Sequence, residues 1–329
     1  VVEGKPRQVI VLGDACADLI VRTSVDEEDT KRQFHPEVIC GGSAANTAML
    51  LARLGVPVAF VGAVGRDSFG NMISDQLSGV GVDTSSLIHL DGAFTTVIVA
   101  LIALDGTPRM MGWPRRAGAD KLLDPLDVDL SSFEEIAWFH STGLSLVNNP
   151  VRETVFRAME HARNKGVPIS LDLNLRLGLV DGVLAEEYES HLRKAIDLSD
   201  YVFGSATDEI ALLCPHDDTG KASESLAGMI RTVVSRRGEL GAICASGSGL
   251  IESNAFDVDV VDSMGAGDAF NAGFITAQLD GLTLAEALEW GNATAGMSLK
   301  APGTSGVFDR DDIITLIRQQ SKLTMGHTL

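Results

Sequence analysis

Short apolar runs recur along the chain, spaced so that a helix fits between them. Val9–Leu12, Val58–Val61, Ala137–His140, Ile169–Leu173, Tyr201–Phe203 and Ala242–Ala245 each read as a strand buried on both faces. Between most of them the apolar positions take up the helical period. That predicts helices over 43–54, 68–78, 151–165, 186–197 and 221–235. Alternation of this kind predicts an α/β fold, a doubly wound, mostly parallel sheet flanked by helices. Ligands of such sheets bind beyond the carboxyl ends of the strands.

Two stretches break the alternation. Asp18–Val25 leads into the charged run Asp26-Glu27-Glu28-Asp29 and then Gln33–Ile39. Phe94–Leu104, rich in Thr, Val and Ile, is followed by the turn Asp105-Gly106 and then Thr107–Gly112. Both read as β ribbons that form a small sheet projecting from the main body. The expected division is a main α/β domain over 1–17, 40–93 and 113–329, with a small β-sheet over 18–39 and 94–112.

Composition narrows the classes of function. A chain of 329 residues buries a sizeable core. Its net charge of −19 argues against nucleic acid and anionic membranes as partners, since both need a basic face. It also means that any phosphate site must reverse the local field with backbone amides, a few Arg or Lys, and a divalent metal. Cys16, Cys40, Cys214 and Cys244 are scattered without a CxxC pair, which predicts reduced thiols. Val1–Gln8 has no apolar signal core and no window approaches a membrane span, so a cytoplasmic location is expected.

The run Val260-Val261-Asp262-Ser263-Met264-Gly265-Ala266-Gly267-Asp268 carries the most chemistry. It reads as a short apolar strand joined to a helix by a tight glycine turn. The amides of Gly265, Ala266, Gly267 and Asp268 fall in the first turn, where no intrahelical acceptor exists. Such a nest at a positive dipole end binds a phosphate or a developing oxyanion. Asp268, in the same turn, is placed to take a proton from an attacking hydroxyl, a pairing that suggests phosphoryl transfer to an alcohol. The plain alternative is a strand-to-helix turn with Asp268 as a surface cap.

A second element lies far upstream. Cys40-Gly41-Gly42-Ser43-Ala44-Ala45-Asn46 opens a helix. Small residues there let a ligand approach the backbone, and Asn46 offers a donor and an acceptor to a polyol. Rival motifs are missing. Thr219-Gly220-Lys221 is followed by Ala222 and is not a phosphate loop, and no GxGxxG follows the first strand. No His/Cys cluster has zinc spacing. Arg115-Arg116 is either a solvated pair or a source of one cation for the substrate.

The Gly41-Gly42-x-x-x-Asn46 element and the Asp262–Asp268 element together resemble the two signatures of the ribokinase-like, or PfkB, carbohydrate kinases. Val9–Asp14 resembles the family's first strand, Val61–Gly70 its second strand and turn, and Asp172-Leu173-Asn174-Leu175-Arg176 the DxNxR stretch of its sugar-acid and fructose kinase branches. The resemblance implies an ATP-dependent kinase acting on a primary hydroxyl of a sugar or sugar acid. Asp268 would be its base and the Gly265, Ala266 and Gly267 amides its anion hole. Asp14, Gly41, Gly42 and Asn46 would hold the sugar, with Arg115 as the candidate cation for an acidic one. Asn174, Arg176, Ser205, Arg236, Gly238 and Asn292 would face the nucleotide.

Mg²⁺ would be held mainly by ATP and water, with Asp208 or Glu209 in the outer shell. Asp262 and the loop Lys300–Ser305 resemble a monovalent-cation (K⁺) loop. The small sheet would be a lid over the sugar and a possible homodimer contact. The sequence departs from the family at Ser263, where the family has Thr. It departs again at Ser205 and Asp208, where an Asn and a Glu are expected; Glu209 supplies the longer carboxylate one residue later. A nucleoside kinase of the same fold and a catalytically inactive sugar-binding protein are the alternatives.

Overall fold

The computed structural model describes residues 7–22, 36–102, 108–113, 118–130, 136–175, 184–301 and 306–326. In chain order the first half contains β1 (Gln8–Leu12), β2 (Cys16–Arg22), β3 (Glu37–Gly41), α1 (Ser43–Arg53), β4 (Val58–Gly65), α2 (Ser68–Gly79), β5 (Leu87–Leu90), β6 (Val97–Ile102), β7 (Pro108–Trp113), β8 (Ile136–Thr142) and α3 (Val151–Asn164). The second half contains β9 (Ile169–Asp172), α4 (Glu186–Leu198), β10 (Tyr201–Ser205), α5 (Ala211–Leu213), α6 (Thr219–Ala227), β11 (Thr232–Arg236), β12 (Ala242–Ser246), β13 (Gly249–Ser253), α7 (Ala266–Leu279), α8 (Leu284–Ser298) and α9 (Arg310–Gly326).

Among the described residues, nine strands form one sheet in the order β13-β12-β11-β10-β9-β8-β1-β4-β5. It is parallel from β5 to β11, and β12 and β13 are added antiparallel. Side chains alternate across it. Val9, Val11, Phe60, Phe203 and Val234 face a core shared with α1, α7 and α8. Ile10, Leu12, Val61, Phe139 and Val233 face the opposite layer, with α3, α4 and α6. The expected mostly parallel, doubly wound architecture is therefore the one formed.

The helix expected over 221–235 is split. α6 ends at Ala227, and Gly228 follows with φ 55°. The chain then enters β11, whose buried Val233 and Val234 lie between β10 and β12. β-branched residues fit that two-sided slot better than a helix. β5 and β13 were not anticipated, because these edge strands are half-exposed and lack a continuous apolar run. The strand read at Val260-Val261 does not form. These residues are 64% and 57% exposed, and only the Val261 and Asp262 amides pair, both with the Leu299 carbonyl.

A separate four-stranded sheet has the order β3-β2-β6-β7. It begins at Cys16, slightly earlier than the ribbon boundary at Asp18. Val38, Leu19, Val99 and Met111 pair directly across it and form an apolar row on one face. The opposite face carries Cys16, Asp18 and Gly41.

Candidate active site

The carboxyl ends of β1, β9, β10 and β11 converge on the amino end of α7. Gly265 begins that helix with φ 76°, a left-handed conformation that glycine adopts without strain. Asp268 follows in the first turn and is 6% exposed, so the surface-cap alternative fails. Its Oδ1 accepts from Ser43 Oγ at 2.5 Å and its Oδ2 from Asn46 Nδ2 at 2.9 Å. Two elements more than two hundred residues apart in sequence thus meet at one carboxylate.

The other half of this contact is built by Gly42 and Asp14. Gly42 has φ 100°, and an added Cβ would lie 2.6 Å from the Asp14 carbonyl oxygen. Asp14 turns its carboxylate onto the start of α1. Its Oδ2 accepts from the Ser43 amide at 2.8 Å, and its Oδ1 from the Ala44 amide at 3.4 Å and from Thr142 Oγ1 at 3.2 Å. Asp14 therefore satisfies orphan donors of α1, the job of a capping carboxylate. Asn46 Oδ1 is buried without a hydrogen-bond partner, an acceptor left over beside Asp268.

Asp18, absent from the residues singled out in the sequence, is buried on β2 against Gly41. A Cβ on Gly41 would lie 2.1 Å from its Oδ2. Cys16 Sγ donates to Asp18 Oδ1 at 3.4 Å. Burial, then the carboxylates of Asp18, Asp14 and Asp120, push the Cys16 thiol well above the usual range, so it stays protonated. The clue was legible: one carboxylate within the otherwise apolar run Ala15–Val21.

A buried charge network lies at the same end of α7. Arg236, at the end of β11, bridges Asp172 with Nη2–Oδ1 2.8 Å and Nη1–Oδ2 3.1 Å. Its Nη1 also donates to Asn271 Oδ1 at 2.8 Å and to the Gly267 carbonyl at 3.2 Å. Asn271 Nδ2 returns a bond of 2.7 Å to Asp172. Burial works against the charge on Arg236, but Asp172 and then Glu209 outweigh it and hold the guanidinium above its ordinary range. Burial also works against Asp172, yet Arg236 and Asn271 hold it below the usual carboxylate range. Arg236 is thus engaged by Asp172, Asn271 and the Gly267 carbonyl at the start of α7. Asn271 gave no sequence signal, because it sits inside an apolar helix.

Glu209 and Asp208 separate clearly. A π-turn over Ala206–Ile210 swings Glu209 inward, where it accepts from the Leu175 amide at 2.5 Å and the Ser205 amide at 2.6 Å. Burial and then Asp172 raise its pKa. Asp208 stays exposed and pairs with Ser205 Oγ at 3.1 Å. Asn174, two residues past the end of β9, has φ 40° and lies next to this network. Gly238, with φ 59°, turns between β11 and β12. Asn292 lies apart from these groups, its Nδ2 donating to the carbonyls of Ser253 and Asn254 and to Ser253 Oγ, each at 3.1 Å. Asp262 Oδ1 accepts the Met264 amide at 3.0 Å. Arg115, Arg116, Arg176 and residues 302–305 lie outside the described residues.

Residues 6–310 match the model of the pfkB family carbohydrate kinases. The chain belongs to this family. A 5-dehydro-2-deoxygluconokinase of Geobacillus thermodenitrificans is 28% identical to this carbohydrate kinase over 328 residues, 97% of this chain and 95% of the other. A fructokinase of Salmonella typhimurium is 32% identical over 276 residues, 82% and 84% of the two chains. The structure of a fructokinase from Xylella fastidiosa with bound ATP superposes with a TM-score of 0.83 at 25% identity, covering 95% of this chain and 99% of that one. The protein is thus an ATP-dependent kinase of a sugar or sugar acid.

Among the described residues no group of three metal-binding side chains occurs. Exposed Asp208 could meet Mg²⁺ carried by nucleotide phosphates through water, the usual arrangement for that ion, whereas Glu209 is buried on two backbone amides. No described helix is long and apolar enough to cross a membrane.

Proposed function

We propose that this kinase transfers the terminal phosphoryl group of ATP to a primary hydroxyl of a neutral sugar. The observation that carries this reading is the contact of Asp268 with both Ser43 and Asn46, which joins an anion turn to a glycine-lined polyol loop. Asp268 accepts the proton of the attacking hydroxyl as general base. The amides of Gly265, Ala266 and Gly267 stabilise charge on the transferring group. Asn46 Oδ1 and the carboxylate of Asp18 accept from sugar hydroxyls at the face carrying Gly41 and Gly42. Mg²⁺ on the phosphates, approached by Asp208, neutralises charge there. K⁺ beside Asp262 belongs to the same proposal.

A neutral sugar is favoured by the carboxylates of Asp14 and Asp18 beside the Cys16 thiol, while that of Asp120 is paired with Lys121. Asp14 and Asp18 attract hydroxyl donors and repel an acid. The second reading is a sugar acid, supported by the similarity to a 5-dehydro-2-deoxygluconokinase along nearly the whole chain. It requires a cation, for which Arg115 is the candidate. ADP release with ATP and a panel of hexoses, pentoses, ketoses, aldonic acids and nucleosides tests both. The expected outcome is turnover of a neutral hexose or pentose. Turnover of aldonic acids alone would select the second reading, and turnover of nucleosides alone would overturn both.

A further inference from the structure

Ser43 has no part in the polyol or phosphate contacts described above, yet it occupies the centre of the site. It is 5% exposed, its amide donates to Asp14 Oδ2 at 2.8 Å, and its hydroxyl donates to Asp268 Oδ1 at 2.5 Å. With Asn46 on Oδ2 at 2.9 Å, the first turn of α1 holds both oxygens of the carboxylate. The geometry points to Ser43 as a positioning residue for phosphoryl transfer: its hydroxyl fixes the Asp268 carboxylate in orientation and in its ionised form. This rests on Asp268 acting as the base.

Three features give the hydroxyl this role. Asp14 anchors the Ser43 amide, so the residue cannot swing away without uncapping α1. A donor bound to a carboxylate favours its charged form, so Ser43 extends the pH range in which the base can accept a proton. Two donors from one rigid helix leave a restricted set of lone pairs facing the acceptor hydroxyl, which is what orientation requires. Arg236 is a charged neighbour that feels the Asp268 carboxylate. Arg236 lies behind the turn at Gly267 with Asp172 beyond it, and Asp14 lies behind Ser43. The α8 residues packed on α7, Trp290 and Thr294, are uncharged.

The test uses the unliganded full chain. Asp268 is titrated through its ¹³C-labelled carboxyl carbon, assigned by difference from Asp268→Asn. In Ser43→Ala the midpoint should rise by about one pH unit, the scale set by losing one hydrogen bond to a charge. Ser43→Thr, which restores a hydroxyl, should bring it back. Ser43→Gly serves in place of the alanine variant if that chain does not fold. A midpoint within about 0.2 unit of wild type in the hydroxyl-free variant overturns the proposal. With the acceptor found in the ADP screen, the acid limb of the kcat/KM profile for that acceptor, which reports the free enzyme, should move upward by the same amount, with KM for ATP unchanged. An unmoved limb also overturns it. If the wild type turns over no acceptor, the kinase reading fails by itself, and the carboxyl titration still decides the role of Ser43.

Discussion

At the scale of single residues, the site is a set of charges held by specific partners. Asp268→Asn keeps the volume of the side chain and removes its ability to take a proton. Its kcat should fall by roughly 10²–10⁴, with ATP and sugar still bound. A variant keeping more than about half of wild-type kcat would remove Asp268 from the base role. Arg236 makes a different prediction. It is 17% exposed and its charge is balanced by Asp172 and Glu209, so removing it leaves two buried carboxylates without their counter-charge. Arg236→Met should cost about 3–5 kcal/mol in urea unfolding, while the double variant Arg236→Met/Asp172→Asn should recover much of that. Equal losses in the single and double variants would show that the pairing contributes little. The family resemblance suggested Arg236 as a nucleotide contact, and nothing in the sequence hinted at its protein partners. Those partners come from β9 and α7, whose convergence no local pattern reveals.

At the scale of elements, the sequence was most legible where strands are buried on both faces and helices start at glycines. β1, β4, β8, β9, β10 and β12 follow from apolar runs, and α1 and α7 begin where Gly42 and Gly265 allow. What escaped notice were elements defined by neighbours: the edge strands β5 and β13, β11 behind α6, and the π-turn that exchanges Asp208 for Glu209 at the interior. The small sheet is intermediate. Its strands were foreseen, but its two unlike faces come from register. One face bears Asp18 and Gly41. The other bears the row Val38–Leu19–Val99–Met111, with Met111 57% exposed. An apolar row of this kind on a projecting sheet suits a matching row on a second copy. Leu19→Lys should convert a dimer into a monomer in sedimentation velocity. A wild type that sediments as a monomer at tens of micromolar would discard the contact.

At the scale of the whole molecule, one buried histidine ties stability to pH. His140 is 0% exposed on β8, near the middle of the nine-stranded sheet. Its Nδ1 lies 2.8 Å from Ser170 Oγ, and its Nε2 has no hydrogen-bond partner. Burial lowers its pKa from 6.5 to about 4; the Asp172 charge pulls it up and Arg236 pushes it down. The folded state therefore resists protonation that the unfolded chain accepts. Between the two values the unfolded state binds more protons, so stability is complete above pH 6.5 and declines as pH falls toward 4. A shift of this size corresponds to about 3 kcal/mol. Asp67 acts lower on the scale. Burial opposes its charge, but the Thr95 and Gly70 amides and the Thr95 hydroxyl hold it below the usual carboxylate range, so its contribution is lost only under more acidic conditions. The net charge of −19 works in the opposite sense, since protonating surface carboxylates relieves repulsion. Absolute stability curves therefore mix the two effects, and the difference between variants separates them. His140→Phe keeps an aromatic ring beside Phe203, whose ring centre lies 6.4 Å away, and removes the titrating group. Urea unfolding from pH 7.5 to 4.5 should show wild type losing stability relative to this variant as pH falls, with the gap opening below about pH 6.5. Parallel curves across that range would mean that His140 takes up its proton in the folded protein as readily as in the unfolded chain.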